Sequence, residues 1–246
     1  MHDKELKHDL EKVFELERVI LFSDAVFAII ITIMVLDVRL ESPAGGFANA
    51  NPDVVKEAII HSLTKLGGYA LSFFLVSRFW VRHLRIFKTL RDYDIPLVVR
   101  NLMFLFVISL FPFAISIIWG TISSKNYFGL DVYITIFLAA TIVQTAVIQY
   151  IVKHKQSLCF TPQNVEDILQ WKVQKLNFFL TPISLILLAV FNFIGYIELA
   201  PYIIVLQVFV LRRLQSKYYP KNSPVRIKSL FKRSKGAQKV LVETVD

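Results

Sequence analysis

The stretch RVILFSDAVFAIIITIMVLDV, Arg18 to Val38, decides how this chain is read. It is one apolar run, close to the roughly 20 residues that a bilayer-crossing helix needs. Yet it contains a carboxylate, Asp24, six residues after a base, Arg18. A carboxylate at the centre of a membrane helix costs roughly 2.5–3.5 kcal/mol on insertion scales unless it faces water or a partner. Arg18 is not three or four residues away, so the two do not share a helical face. The acid therefore predicts an interhelical network, with Arg78, Arg82 and His83 at the end of the second apolar run as candidate partners. The Trp80 indole and Asn101, at the start of the third run, can also supply donors. A purely structural network is favoured over a direct transport role. Beyond Asp24, residues Ile29, Thr32, Ile33 and Leu36 recur at three- and four-residue spacing and form one helical stripe. Spacing alone favours ordinary helix packing for this stripe, with the Thr32 hydroxyl satisfied on its own helix. It does not say whether the stripe faces a pore.

The rest of the chain repeats the apolar pattern. Hydrophobic residues make up 55% of the 246, with 21 phenylalanines, more apolar surface than a soluble domain of this size could cover with polar groups. Six spans are predicted: Arg18–Val38, Ser62–Val81, Leu97–Trp119, Val132–Val152, Phe178–Ile197 and Leu199–Leu211. The last is the shortest, and Arg212 and Arg213 can extend it by snorkelling. Pro112 predicts a kink in the third span. The loop ESPAGGFANANPD ends the first helix with Pro, Gly and Asn.

Net charge is +9, and the basic residues lie between apolar runs and in the tail. Arg82, Arg85, Lys88, Arg91 and Arg100 follow the second span, and Lys153, Lys155, Lys172 and Lys175 follow the fourth. The tail is rich in Lys and Arg throughout. The opposite side holds few bases, so the charge bias predicts both termini in the cytoplasm. Residues 1–17 read as a cytoplasmic amphipathic helix leading into the first span. Residues 18–214 read as the six-span domain and 215–246 as a basic cytoplasmic tail near anionic headgroups. The N-terminus has no cleavable signal pattern, so targeting is expected to come from the spans.

Catalytic signals are absent. One cysteine, Cys159, allows neither an intrachain disulfide nor a cysteine metal site. The five histidines form no ligand pair, and there is no phosphate-binding glycine loop. Gln144, Gln149, Asn177 and Asn192 read as helix–helix hydrogen-bonding residues. No enzyme activity, cofactor or nucleic-acid partner is expected.

Arg18, Phe22, Ser23 and Asp24, followed by AVFAIIITIMVLDV, resemble the first-span signature of the transmembrane protein 175 family of endolysosomal potassium channels, in its prokaryotic form. YALSFFLVSRFWVRHLRIF, with Trp80 and His83, and NLMFLFVISLFPF are similar to that family's second and third spans. Over the last three spans only hydropathy agrees. The resemblance implies an all-α membrane protein, with six transmembrane helices per subunit and four copies around a central pore lined by the first helix. It implies an apolar constriction at Ile29, a pore-facing Thr32, and further apolar rings at Ile33 and Leu36. It also implies a structural network of Arg18, Phe22, Ser23, Asp24, Trp80, His83 and Asn101 on the cytoplasmic side. The implied partners are further copies of the chain and membrane lipids, and the permeant species is potassium. An apolar ring can gate by dewetting and select by the cost of stripping water from an ion. The alternative is a secondary transporter or proton-coupled carrier using Asp24. Against it, neither internal repeats nor broken helices near the midplane are evident. A non-conducting scaffold is a third class.

Overall fold

The computed structural model describes residues 2–38, 46, 51–122, 128–195 and 200–219. The tail beyond Tyr219 and most of the loop from Glu41 to Asp53 lie outside the described residues. Helix α1 (His2–Ile33) runs unbroken through Arg18 and closes in a 3-10 turn, Met34–Asp37. Then come α2 (Pro52–Phe87), α3 (Ile95–Ser109), α4 (Phe111–Ile122) and α5 (Phe128–Lys153). Two single turns, α6 (Lys155–Leu158) and α7 (Val165–Ile168), lead to α8 (Trp171–Ile194) and α9 (Ala200–Tyr218).

The sequence explains several boundaries. Asn51 and Asp94 cap α2 and α3, accepting from the backbone N–H of Asp53 at 3.0 Å and Leu97 at 2.9 Å, and each is followed by a proline in the first helical positions. The kink expected at Pro112 is a break between α3 and α4 at Leu110. Proline lacks the N–H that would reach back to the carbonyl of Ile108, and its ring crowds that turn. Pro182 sits inside α8. There the Thr181 and Ser184 hydroxyls donate to the carbonyls of Asn177 and Leu180, at 2.7 and 3.0 Å.

Among the described residues, four helical stretches are long and apolar enough to cross a membrane: Phe14–Leu36, Pro52–Phe87, Ile95–Thr121 and Phe128–Lys153. The protein is a multi-pass membrane protein. Helices α8 and α9, of 24 and 19 residues, occupy the positions expected for the fifth and sixth spans. The last is longer than its apolar run, extending through Arg212 and Arg213 to Tyr218.

Aromatic rings hold α1 to α4 together. Phe79 of α2 meets Phe104 of α3 at 6.2 Å and Phe111 of α4 at 6.1 Å, and Phe27 of α1 meets Phe104 at 6.0 Å. These tilted pairs add attraction beyond their buried area. Helix α5 packs against α3, α4 and α8, and α9 packs on α8. The α4–α5 approach depends on Gly129, where a Cβ would lie 2.6 Å from the Ile118 backbone. Small residues at such points let membrane helices close to backbone distance. At the Lys88–Asp94 end, Phe160 N–H donates to the Thr89 carbonyl at 3.1 Å and Arg91 N–H to the Leu158 carbonyl at 2.7 Å. The link between α2 and α3 is thereby tied to the segment after α5.

Candidate functional site

Helix α1 has two faces. Ser23, Phe27, Ile30 and Met34 are buried, at 0, 1, 4 and 0% exposure. Their spacing of four, three and four residues is that of a helix seam packed on neighbours. The other face carries Ile29, Ile33 and Leu36, exposed at 56, 44 and 63%, together with exposed Thr32. The stripe read from the sequence therefore points away from the chain's own helices. The Thr32 hydroxyl donates to the carbonyls of Ala28 and Ile29, both at 2.9 Å. Its proton is committed to the helix, which leaves oxygen lone pairs on the exposed face. Such a group can offer electron density to a cation but has no proton to give an anion.

The buried face is held by a hydrogen-bond relay across three helices. His83 of α2 meets Asn101 Oδ1 of α3 through Nε2 at 2.8 Å, and Asn101 Nδ2 donates to Ser23 Oγ of α1 at 2.9 Å. Ser23 donates in turn to the Val19 carbonyl at 2.8 Å. Because Ser23 spends its proton on Val19, it must accept from the Asn101 amide. Asn101 then presents its oxygen to His83, which fixes the imidazole as the tautomer protonated on Nε2. All three side chains are at most 1% exposed. The bare Nδ1 of His83 has no hydrogen-bond partner. Its ring stacks on Phe87 with centroids 4.2 Å apart and lies parallel to Phe104 at 5.9 Å.

Asp24 has a separate partner. Trp80 Nε1 donates to its Oδ1 at 2.8 Å, joining α2 to α1 one residue beyond the relay. The candidates Arg78, Arg82 and His83 do not take this position. Arg78 is exposed and Arg82 half-buried on another face of α2, while His83 is spent on Asn101. Arg18 and Phe22 also lie outside the hydrogen-bonded set. Both are exposed and line an open cleft of about 330 Å³ with Glu15, Tyr93 and Asn101. Beside it, the Tyr93 phenol donates to Glu15, a bond that pushes the Tyr93 pKa up.

A second polar cluster lies between α8 and α9. Gln207 donates to Asn177 Oδ1 at 3.0 Å and to Thr181 Oγ1 at 3.3 Å, and its Oε1 accepts from Ser184 at 2.8 Å. Asn177 is the helix–helix hydrogen-bonding residue the sequence suggested. Gln207, Thr181 and Ser184 were not singled out. The available signal was the polar spacing of Gln174, Asn177, Thr181 and Ser184 along one face of α8. Gln144 donates to the Phe79 carbonyl at 3.3 Å. Among the described residues no group of His, Cys, Asp and Glu could hold a metal ion.

Residues 18–112 match the sequence profile of the family described as endosomal/lysosomal potassium channel TMEM175. That stretch holds the stripe, the relay and the Trp80–Asp24 bond, and over it the resemblance is shown. A TMEM175 of Danio rerio, named an endosomal/lysosomal proton channel, is 24% identical over 195 residues, 78% of this chain and 36% of its own length. A potassium channel of Streptomyces collinus is 30% identical over 114 residues, 46% of this chain and 50% of its own. A potassium channel of a Chryseobacterium species is 36% identical over 94 residues, 38% of this chain and 43% of its own. The chain thus spans half or less of the length of these curated relatives. A TMEM175 homolog from Chamaesiphon minutus, described as a lysosomal potassium-selective channel, superposes with a TM-score of 0.53 at 23% identity. That match covers 78% of this chain and 98% of the other, and it shows that the fold is shared. Each of these relatives is named a channel.

Proposed function

We propose that this chain, whose residues 18–112 carry the TMEM175 pattern, is a potassium-selective leak channel. In this reading it has six spans and cytoplasmic termini in a prokaryotic cell membrane, and four copies surround a central pore lined by α1. The reading is carried by one observation: Ile29, Thr32 and Ile33 are exposed on the face of α1 that points away from the other described helices, with Leu36 exposed in the turn that follows, while the opposite face of α1 is pinned by buried hydrogen bonds. Bonds at Ser23 and Asp24 fix the rotation of α1, and one to three turns further on that rotation aims the stripe at the symmetry axis.

The mechanism follows from the side chains. Rings of Ile29, Ile33 and Leu36 narrow the path and expel water, so an ion crosses only by shedding part of its hydration shell. Potassium holds its water less tightly than sodium and pays less. Thr32 oxygens between the rings replace part of what is lost. The resulting selectivity is modest, because no carbonyl cage surrounds the ion. No cofactor takes part; Arg18 and Phe22 line the wall near the mouth, and Asp24 serves as a brace.

The test is reconstitution of the full chain in liposomes with potassium and sodium gradients compared side by side. Potassium flux exceeding sodium flux is expected, and equal or absent flux rejects the reading. Ile29→Asn is expected to raise conductance and lower the potassium-to-sodium ratio, because a polar ring holds water where an apolar one excludes it. An unchanged ratio would place Ile29 against lipid or another helix.

A further inference from the structure

The outer face of α2 changes character along its length. Leu71 and Phe74 are exposed at 62 and 66%, and the same stripe continues into Arg78, Arg82 and Arg85. Steps of four and three residues put the three guanidinium groups on one side of the helix. They span about 10 Å of its axis. Arg78 and Arg85 both lie within electrostatic reach of Arg82. Among the described residues no hydrogen bond or ion pair to a protein acid engages any of them. Of the carboxylates on α1 and ahead of α3, Asp24 accepts from Trp80, and Asp94 accepts from Tyr150 and the Leu97 N–H. The other acids of α2, Asp53 and Glu57, stand at its far end. Arg78 and Arg85 are exposed and Arg82 is half-buried, so three like charges at the end of an apolar helix face present a surface that an external anion complements.

We propose that Arg78, Arg82 and Arg85 form a binding site for the phosphate of an anionic phospholipid, whose acyl chains cover Leu71 and Phe74. The order of chemistry along the stripe, apolar and then cationic, is the order a phospholipid presents from chain to headgroup. Guanidinium groups are suited to this because their planar donors pair two at a time with phosphate oxygens. The proposal rests on α2 crossing the membrane and is independent of ion conduction.

Native mass spectrometry of the full chain in mild detergent tests it, with phosphatidylglycerol and phosphatidylcholine titrated in parallel. Phosphatidylglycerol is expected to bind at lower concentration. The preference should fall roughly fivefold for each arginine changed to glutamine, while Arg82→Lys should cost less than Arg82→Gln, because the charge remains but the paired guanidinium donors are lost. Equal binding of the two lipids by the unmodified chain overturns the proposal. Displacement of phosphatidylglycerol by inorganic phosphate at equal concentration would assign the site to free phosphate and overturn the lipid. Loss of the oligomer in lipid-free detergent on Arg82→Gln would assign the face to a second copy, with the same consequence. Lost lipid preference with intact potassium flux leaves the channel reading standing, and the converse result separates the two in the other direction.

Discussion

Two polar clusters hold this helical bundle, and they are built differently. The relay from His83 through Asn101 to Ser23 joins three helices, buries each member almost completely, and fixes the direction of every bond in the chain. The cluster between α8 and α9 joins two helices around Gln207, which bonds to three neighbours at once. In the relay the direction of every bond follows from the one before it, so the loss of one member orphans another. In the second cluster the bonds are redundant: Thr181 donates to the Asn177 carbonyl whatever Gln207 does, and Ser184 can give its proton to the Leu180 carbonyl if Gln207 is lost. A relay of this kind specifies one rotation of α1; the α8–α9 cluster adds adhesion between neighbouring helices. The rotation matters only for the helix whose exposed stripe is proposed to line the pore.

Substitutions can break that contrast, beginning with the largest effect. Asn101→Leu leaves the buried His83 Nε2–H without an acceptor, a cost of about 1–3 kcal/mol, and frees α1 to rotate. Thermal unfolding of the detergent-solubilised oligomer should shift down clearly, with potassium selectivity lowered as well. Replacing His83 with Phe in the same variant removes the orphaned group and should recover much of the stability. If the double variant melts as low as the single one, the relay is not what holds the helices.

Trp80→Phe is expected to come next. It keeps an aromatic ring but removes the indole donor and part of the side-chain volume, leaving Asp24 without its protein partner. A loss of about 1 kcal/mol is expected, read as a lower melting temperature of the detergent-solubilised oligomer. A melting temperature equal to that of the unmodified protein would show that water supports Asp24 adequately.

Gln207→Leu should cost less, near the roughly 0.6 kcal/mol average for hydrogen bonds between membrane helices. It should leave selectivity unchanged. A selectivity change here would mean that α8 and α9 help set the rotation of α1, which would erase the contrast between the clusters.

Tyr93→Phe should have the smallest effect, because the Tyr93–Glu15 bond lies at an exposed site. The bond raises the phenol pKa above its ordinary value of 10.0. Any stability it contributes is complete below the unfolded pKa and is lost as pH rises through the folded one. The variant and the unmodified protein should therefore differ most below pH 10 and converge above it. A difference that grows at alkaline pH would rule out this bond as its source.

The sequence by itself determined the helical membrane class, the break at Pro112 and the helical continuity through Arg18. It also determined that Asp24 needs a partner on another helix and that Ile29, Thr32, Ile33 and Leu36 share a face. These follow from local rules: apolar run length, the missing proline N–H, the cost of a buried charge, and a repeat of 3.6 residues. Three things were decided only by tertiary structure. Trp80 reaches Asp24 while Arg78 is exposed and Arg82 half-buried on another face of α2, His83 is committed to Asn101, and the stripe at Ile29, Thr32 and Ile33 is left exposed by the described helices. Each depends on the relative rotation and depth of neighbouring helices. That geometry is set by how Phe27, Phe79, Phe104 and Phe111 interlock. Spacing along one helix places residues on a face, but packing between helices decides what that face meets.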